Sequence, residues 1–275
     1  MSYQNFKPTF WSKHIQMELE RLCTLADWCN KKFEGQAKQG EQVKILGLES
    51  PTIGNYTPDV SGFSIGAPEK PADSSQYLKI TEAKYFNVGI DDIDKAQSIG
   101  GIMETNLTNA AREFAVLRDK FVGALAATVE NAVSAGTVST ANAAKKAIDA
   151  AILKLRENDV SSNMEVVVEI PWFMYNIFRD NLIELKTNND ELLKKGIISM
   201  YDGCYVRPSN NLHVEDGTYY CMVRTHDAIA FASGIDKVEA YRPEGRFEDA
   251  VKGLNTYGAK IVRPKELSVF TVSKS

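Results

Sequence analysis

The sequence predicts an α+β fold, in which helices and strands are interspersed without the regular strand–helix–strand repetition of a parallel sheet. Three features lead to this prediction. Alternating patterns typical of strands surround a stretch rich in proline and glycine, a long helical stripe follows, and the last third mixes short strands with short helices. With 275 residues, of which 25% are charged and 44% hydrophobic, the chain has the size and composition of an ordinary soluble globular protein.

Charge and composition argue against several classes of protein. The formal net charge of -4 disfavours a general binder of nucleic acid or anionic membranes, because both repel a negative surface. The sequence has no signal peptide and no apolar run near the ~20 residues that a membrane span needs, so we expect a cytosolic protein. The four cysteines form no Cys-x-x-Cys pair and are expected to be buried free thiols.

The N-terminal region predicts a helix. Ile15, Leu19, Leu22 and Ala26 are spaced as on one helical face, and Ser12 is placed to cap it.

A two-stranded arm is predicted between residues 41 and 90. The run 43–48 is typical of a strand, and Phe86, Val88 and Ile90 alternate as on a second one. Four of the nine prolines lie between them, in a stretch too polar to bury a core of its own. The outward limb of this arm, from Gly40 to Ser61, would span roughly 70 Å if it were fully extended at about 3.3 Å per residue. Because such an arm is marginal alone in water, we expect another chain to cover it.

The longest helical pattern covers residues 102–133 and predicts a helix of about 45–50 Å. "SAGTVST" ends it, and Ser139 or Thr140 can cap a second helix that continues through Leu155. The apolar stripe of the longer helix, 102–133, comprises Leu107, Ala111, Phe114, Leu117 or Arg118, Phe121, Leu125 and Val129.

The last third of the chain is predicted to contain both strands and helices. "MEVVVEI" indicates a buried strand, Pro171 suits the first turn of a helix, and "NDELLKKG" indicates a short helix that stops at Gly196. Asp202-Gly203 tolerates the positive φ angles of a tight hairpin turn. "TYYCMVRT" and "AIAFASGIDKVEAY" predict strands, "RFEDAVKGL" a helical turn or two, and "GAKIVRP" a last strand.

Three aspartates follow the second strand of the predicted arm. Asp91, Asp92 and Asp94 could chelate a divalent metal, or they could cap the helix that begins there. We favour capping, because carboxylates in a first helical turn meet the positive end of the helix dipole. The chain also has no glycine-rich loop that would cradle a phosphate.

No catalytic, cofactor-binding or metal-binding residues are predicted. Cys204, His213, Cys221 and His226 offer zinc ligands, but their gaps of eight, seven and four residues lack the close pairs of structural zinc sites. Motifs for nucleophilic catalysis, nucleotide loops and dinucleotide binding are absent from the sequence.

Five apolar residues are candidates for contacts between subunits. Phe10 and Trp11 lie in a polar arm, where they could staple their own helix or anchor on a neighbour, and both interpretations stay open. The other three candidates, Tyr56, Phe63 and Ile65, lie in the predicted arm.

Four stretches together resemble one known family. They are "FKPTFWSKHIQMELE", "GEQVKILGLESPTIGNYT", "YFNVGIDDIDKAQ" and "KVEAYRPEGRFEDAVKGLNTYGAKIVRPKEL". Their order and spacing resemble the major capsid proteins of tailed bacteriophages, which have the Hong Kong 97 type of fold. The resemblance implies an N-terminal arm, an extended β-hairpin loop, a long spine helix, and peripheral and axial domains. The implied boundaries are 1–40 for the arm and first helix, 41–90 for the loop, 91–159 for the peripheral domain with the spine helix, 160–235 for the axial domain, and 236–275 for a C-terminal segment that completes both sheets.

The resemblance also implies a function. Hexamers and pentamers of one chain would form an icosahedral shell around phage DNA, which the shell encloses without specific binding. A separate scaffolding protein, a portal and decoration proteins would be partners, in the host cytoplasm during assembly and then in the virion. No cofactor, membrane or covalent cross-link is expected. The alternatives are an encapsulin-like bacterial compartment shell and, from another class, a small metal-dependent enzyme using Asp91, Asp92 and Asp94.

Overall fold

The described part of the chain forms two main sheets, three α-helices and a two-stranded ladder. The structure is a computed structural model that describes residues 23–32, 42–48, 53, 58–59, 62–63, 73–92, 102–129, 132–184 and 200–274. In the part of the chain that it describes, no helix is both long and apolar enough to cross a membrane.

The larger sheet has seven strands and contains most of the core. Its order is β6-β14-β11-β7-β9-β8, with β10 paired to β11. Two pairs, β6 with β14 and β7 with β9, are parallel, and the others are antiparallel. The strands are β6 (Val133–Val138), β7 (Val166–Ile170), β8 (Met200–Tyr201), β9 (Cys204–Pro208), β10 (Val214–Glu215), β11 (Thr218–Thr225) and β14 (Leu267–Lys274).

Helix α1 packs against a smaller three-stranded sheet. Strands β12 (Ile229–Tyr241), β13 (Glu248–Ile261) and β5 (Glu82–Asp91) follow in that order and are antiparallel. Helix α1 (Ile102–Ala124) continues as a short 3-10 helix, Leu125–Thr128. Its buried residues Leu107, Ala111 and Phe114 cluster with Val251 of β13, and Phe86 of β5 packs against them. The alternation predicted through Phe86, Val88 and Ile90 is therefore confirmed as a strand, with Phe86 facing the helix.

The apolar stripe of α1 includes Arg118 rather than Leu117. Leu117 is 38% exposed, whereas Arg118 is 8% exposed. The guanidinium of Arg118 lies over the rings of Phe231 and Tyr257, at 5.8 and 6.0 Å, and its Nε donates to Asn255. Aromatic faces attract the cation, so a charged side chain occupies an apolar position.

Two further helices complete the core of the large sheet. Helix α2 (Ala141–Glu157) begins after Thr140, whose hydroxyl accepts from the backbone N–H of Ala143 at 3.3 Å, which confirms the predicted cap. Helix α3 (Trp172–Glu184) follows β7 after Pro171.

A two-stranded ladder forms the base of the arm, but its second strand is not the predicted one, because Phe86, Val88 and Ile90 lie in β5 and pair with β13. Strand β1 (Gln42–Leu48) pairs antiparallel with β4 (Asp73–Lys79) over the whole length of both strands. Within the loop, β2 (Pro58–Asp59) pairs with β3 (Gly62–Phe63).

The long helix ends earlier than its pattern predicts. It stops as an α-helix at Ala124 instead of residue 133, and residues 133–138 form β6 instead of a break. At Gly123 a Cβ would lie 2.9 Å from the carbonyl oxygen of Asn211, so the helix meets another loop there. Parallel pairing of β6 with β14 then outweighs the helix propensity of an alanine-rich segment.

Three other predictions are wrong. "RFEDAVKGL" forms the start of β13 rather than a helical turn, because Val251 and Gly253 pair with Val88 and Phe86 inside a sheet. "GAKIVRP" is not the last strand, since β13 ends at Ile261 and β14 follows a 3-10 turn, Pro264–Glu266. Ala26 lies in a turn rather than on a helix. The rest of the predicted first helix and the "NDELLKKG" helix lie outside the described residues.

The predicted hairpin at Asp202-Gly203 is confirmed. Both residues have positive φ, 48° and 72°, and they connect β8 to β9. A second hairpin uses the same dipeptide, with φ of 48° at Asp216 and 76° at Gly217, between β10 and β11.

Candidate assembly surfaces

The base of the extended loop packs on the body of its own subunit. Val43, Ile45 and Leu78, each at most 4% exposed, form a small apolar cluster with Ala230 and Ala232 of β12. The prediction of an arm without any support from its own molecule is therefore wrong for this base. Apolar burial on β12 is what keeps the ladder against the body.

Polar contacts fix the same base to β13 and to the residue after it. The side-chain amide of Gln76 donates to the carbonyl of Val262 at 3.3 Å, and Lys260 donates to the carbonyl of Tyr77 at 3.2 Å. At Gly258 of β13, an added Cβ would lie 2.2 Å from the carbonyl oxygen of Lys79. Only glycine permits such an approach, so the place where the loop leaves the body is sterically defined.

The segment that ends β5 meets the turn between β12 and β13. Strand β5 ends at Asp91, and the chain becomes helical at Asp92. The backbone N–H of Asp92 donates to the carbonyl of Phe247 at 3.0 Å, and its carboxylate pairs with Arg242. Arg242 also lies 3.8 Å from Asp249. The arginine therefore balances the acidic charge here.

The three aspartates are not brought together as a described cluster. Asp91 is exposed, Asp92 contacts Arg242, and Asp94 lies outside the described residues. The N–H groups that they would cap belong to the residues after Asp92, which also lie outside the described part, so capping stays a prediction.

The outward face of the three-stranded sheet carries a satisfied polar network. Asn87 and Tyr241 exchange hydrogen bonds of 2.8 and 3.0 Å across the sheet. Lys237 and Lys252 both pair with Glu239 at 2.5 and 3.2 Å, and their hydrogen bonds hold the pKa of this carboxyl below its usual range. Polar pairs of this kind leave little apolar surface at the centre of this face.

Large apolar side chains are exposed around this network. Tyr85 of β5 is 78% exposed and Phe247 in the β12–β13 turn is 81% exposed. Ile53, in the outer part of the loop, is 94% exposed. We had not selected these residues from the sequence, although the alternation of β5 places Tyr85 opposite the inward Phe86. Of the five residues predicted to contact other subunits, only Phe63 lies in the described part of the chain, where its backbone belongs to β3.

The fold matches structures from phages and from a virus-like particle along nearly its whole length. A structure from Mycobacterium phage Che8 is 28% identical in sequence, with a TM-score of 0.72 and coverage of 90% of both chains. The capsid structure of the Cyanophage P-SCSP1u has a TM-score of 0.69 and 14% identity, covering 92% of this chain and 89% of that one. A virus-like particle from Pyrococcus furiosus has a TM-score of 0.59 and 12% identity, covering 97% and 99%. No family model and no curated protein matches the sequence.

The chain has the Hong Kong 97 type of capsid fold. This is the fold of the phage capsid structures that the chain matches. The mixed sheets, the helix α1 and the β1–β4 ladder are elements of this fold, and the exposed apolar residues are candidate contact points.

The side chains that suggested metal chemistry have other surroundings in the structure. Cys204 and Cys221 are buried on β9 and β11, the ring of His213 packs on Tyr220 at 5.1 Å, and His226 lies 3.5 Å from Asp227. Among the described residues, no group of three or more His, Cys, Asp or Glu side chains is placed to hold a metal ion. A groove of about 400 Å³ near Lys154, Asn158 and Leu267 contains no acid–base pair.

Proposed function

We propose that this protein is the major capsid protein of a tailed bacteriophage, and that hexamers and pentamers of it build the icosahedral shell that encloses the phage DNA. The observation that carries this proposal is the match to the Che8 phage structure over 90% of both chains at 28% identity. Likeness over nine-tenths of both chains supports the same role for the fold as a whole.

The described surface supports assembly with further copies. Tyr85, Phe247 and Ile53 expose large apolar groups to solvent in the single subunit. Exposed apolar side chains of this size are available for contact with another protein chain. The loop base is anchored to its own body by Gly258 and Leu78, so the outer part of the loop starts from a defined position toward a neighbour.

The division into structural regions belongs to the same proposal. We assign residues 41–90 to an extended loop over the adjacent subunit, 91–159 to a peripheral domain and 160–235 to an axial domain. Residues 1–40 would form the arm and 236–275 the closing segment. Phe10, Trp11, Tyr56, Phe63 and Ile65 are proposed contacts with sister copies.

The partners of the shell follow from its proposed role. A separate scaffolding protein would direct assembly in the host cytoplasm, and a portal and decoration proteins would join the shell of the virion. Packaged double-stranded DNA would be enclosed without specific recognition. The net charge of -4 suits a container whose walls do not bind DNA tightly.

A bacterial compartment shell with protein cargo is the second candidate. The likeness to the Pyrococcus furiosus particle, which covers 99% of that chain, is the observation that favours it. Its identity of 12% and TM-score of 0.59 are lower than those of the Che8 match, so the phage capsid is the better supported function.

Two measurements test the proposal. The purified protein should sediment as capsomers or shells and show closed particles by electron microscopy. A strictly monomeric protein at high concentration would contradict a shell role. Particles isolated from the native host should protect double-stranded DNA from nuclease, whereas particles filled with a protein cargo would establish the compartment instead.

A further inference from the structure

Two buried charged side chains hold one short segment, residues 24–30, which we call the strap. The strap is neither a helix nor a paired strand; it forms turns and ends at a single bridge between Asn30 and Ala230. Leu25, Ala26 and Cys29 of the strap are at most 2% exposed and belong to the main apolar core. The segment is therefore inside the subunit although it has no regular secondary structure.

Asp119 of helix α1 binds the first residues of the strap. Its carboxylate, which is 0% exposed, accepts from the backbone N–H groups of Thr24, Leu25 and Ala26 at 2.9 to 3.2 Å. It also accepts from the Thr24 hydroxyl at 2.8 Å and from the side-chain amide of Asn211 at 3.1 Å. Hydrogen bonds to an ionised acceptor are the strong kind. Without the strap, this buried carboxylate would keep only Asn211 of these donors.

Arg224 of strand β11 binds the middle of the strap. Its Nη2 and Nη1 donate to the carbonyls of Leu25 and Trp28 at 2.8 and 2.7 Å, and Nη1 also donates to the Cys29 sulfur at 3.5 Å. Its Nε and Nη2 donate to Glu169 at 3.1 and 2.7 Å. All five N–H groups of the guanidinium are thus used, and three of them depend on the strap.

The end of the strap binds a third element. The N–H of Asn30 donates to the carbonyl of Ile229 at 2.9 Å, and the N–H of Phe231 donates to the carbonyl of Asn30 at 3.0 Å. The Asn30 side chain also donates to Asp227 at 2.8 Å. Seven residues therefore join helix α1, the large sheet and strand β12.

We propose that the strap is a lock between helix α1 and the seven-stranded sheet, closed when Asp119 and Arg224 are both engaged and released as one unit when either is lost. Partial release leaves a buried charge without its partners, which is costly, so intermediate states are disfavoured. Because the strap belongs to none of the strand ladders of the large sheet, it can open while the sheet stays folded.

Two buried cysteines report separately on the strap and on the sheet. Cys29 lies in the strap and Cys221 on β11, and both are 0% exposed. Burial raises the pKa of Cys29 to about 11 and that of Cys221 well above its usual value. Both thiols therefore stay protonated and unreactive at neutral pH until the surrounding structure opens. Cys29 should react when the strap opens, and Cys221 only when the sheet unfolds.

The experiment labels the dissociated full-length subunit with a thiol reagent and identifies each modified cysteine by peptide mass. Asp119→Asn removes acceptors for the strap, and we expect Cys29 to react at least tenfold faster while the rate for Cys221 is unchanged. Thr24→Ala removes one donor to Asp119, and a smaller rise is expected at Cys29 alone. Glu113→Gln, on the exposed face of the same helix, is the matched control and should change neither rate.

If the labelling rates of Cys29 and Cys221 rise together in the variants, the proposed lock is overturned. Such a result would show that the strap and the sheet open together. An unchanged Cys29 rate in Thr24→Ala would overturn it as well, whether or not Asp119→Asn folds. The labelling needs only the single subunit, so its result is independent of whether the protein forms a shell.

Discussion

Glu169 and Arg224 form a two-point ion pair inside the large sheet, with hydrogen bonds of 3.1 and 2.7 Å and side chains that are 2% and 0% exposed. Burial raises the pKa of the Glu169 carboxyl, and the guanidinium beside it opposes that shift. The two residues lie on neighbouring strands, where Met222 of β11 is directly opposite Glu169. A charged pair is thus part of an otherwise apolar core.

Breaking this pair from one side should destabilise the subunit strongly. Arg224→Met leaves Glu169 buried without its cation, and we expect a loss of about 3–5 kcal/mol in the free energy of unfolding. The double variant Glu169→Met with Arg224→Met removes both charges and should recover much of that loss. Denaturant unfolding of the dissociated subunit measures the free energy of unfolding of the single and the double variant. A double variant as unstable as the single one would show that the pair matters mainly through the strap carbonyls.

Gly258 should not tolerate a side chain. Gly258→Ala places a methyl group against the carbonyl of Lys79, and overpacking of this kind costs about 1–3 kcal/mol. Gly245→Ala is the control, because its Cβ would have no neighbour within 4 Å. Thermal unfolding of the two variants compares them directly. Equal melting temperatures would mean that the loop base does not need this close approach.

Tyr85 and Phe247 should matter for assembly and not for folding. Both side chains are more than three-quarters exposed, so Tyr85→Ser and Phe247→Ser should change subunit stability by less than about 0.5 kcal/mol. We expect each to lower the fraction of protein found in particles by sedimentation. Lys237→Ser, at another exposed position of the same sheet, is the control. If Tyr85→Ser and Phe247→Ser both assemble normally, these two residues do not form contacts between subunits.

The aspartates after β5 give a test of capping against metal binding. Replacing Asp91, Asp92 and Asp94 together with Asn should lower the free energy of unfolding by up to about 1 kcal/mol. Asparagine still caps but no longer meets the helix dipole as a charge, and Asp92 loses its exposed ion pair with Arg242. Millimolar Mg²⁺ should not raise the melting temperature of the wild type. Stabilisation by Mg²⁺ that the triple variant loses would instead establish a cation site.

Much of the fold could be predicted because local patterns and tertiary packing agree. The alternation through Phe86, Val88 and Ile90, the cap at Thr140 and the turn at Asp202-Gly203 each depend on residues close in sequence. The resemblance of four stretches to phage capsid proteins also agrees with the structural match along the chain.

The errors have a common cause in contacts between distant residues. Val251 is a strand residue because Val88, far away in sequence, pairs with it. The long helix stops because Gly123 meets Asn211 and because β6 pairs with β14. Short apolar runs are compatible with either helix or strand, so their neighbours decide between them.

The sequence by itself determined the class of fold, the capped helix α2, the tight turns and the resemblance to phage capsid proteins, since these depend on spacing, local conformation and order along the chain. Only the tertiary structure showed that Asp119 and Arg224 bind residues 24–30. It also showed that Gly258 leaves room for the base of the extended loop to approach. Asp119 and Arg224 each bind the strap across more than ninety positions of sequence, and no local pattern specifies such pairs.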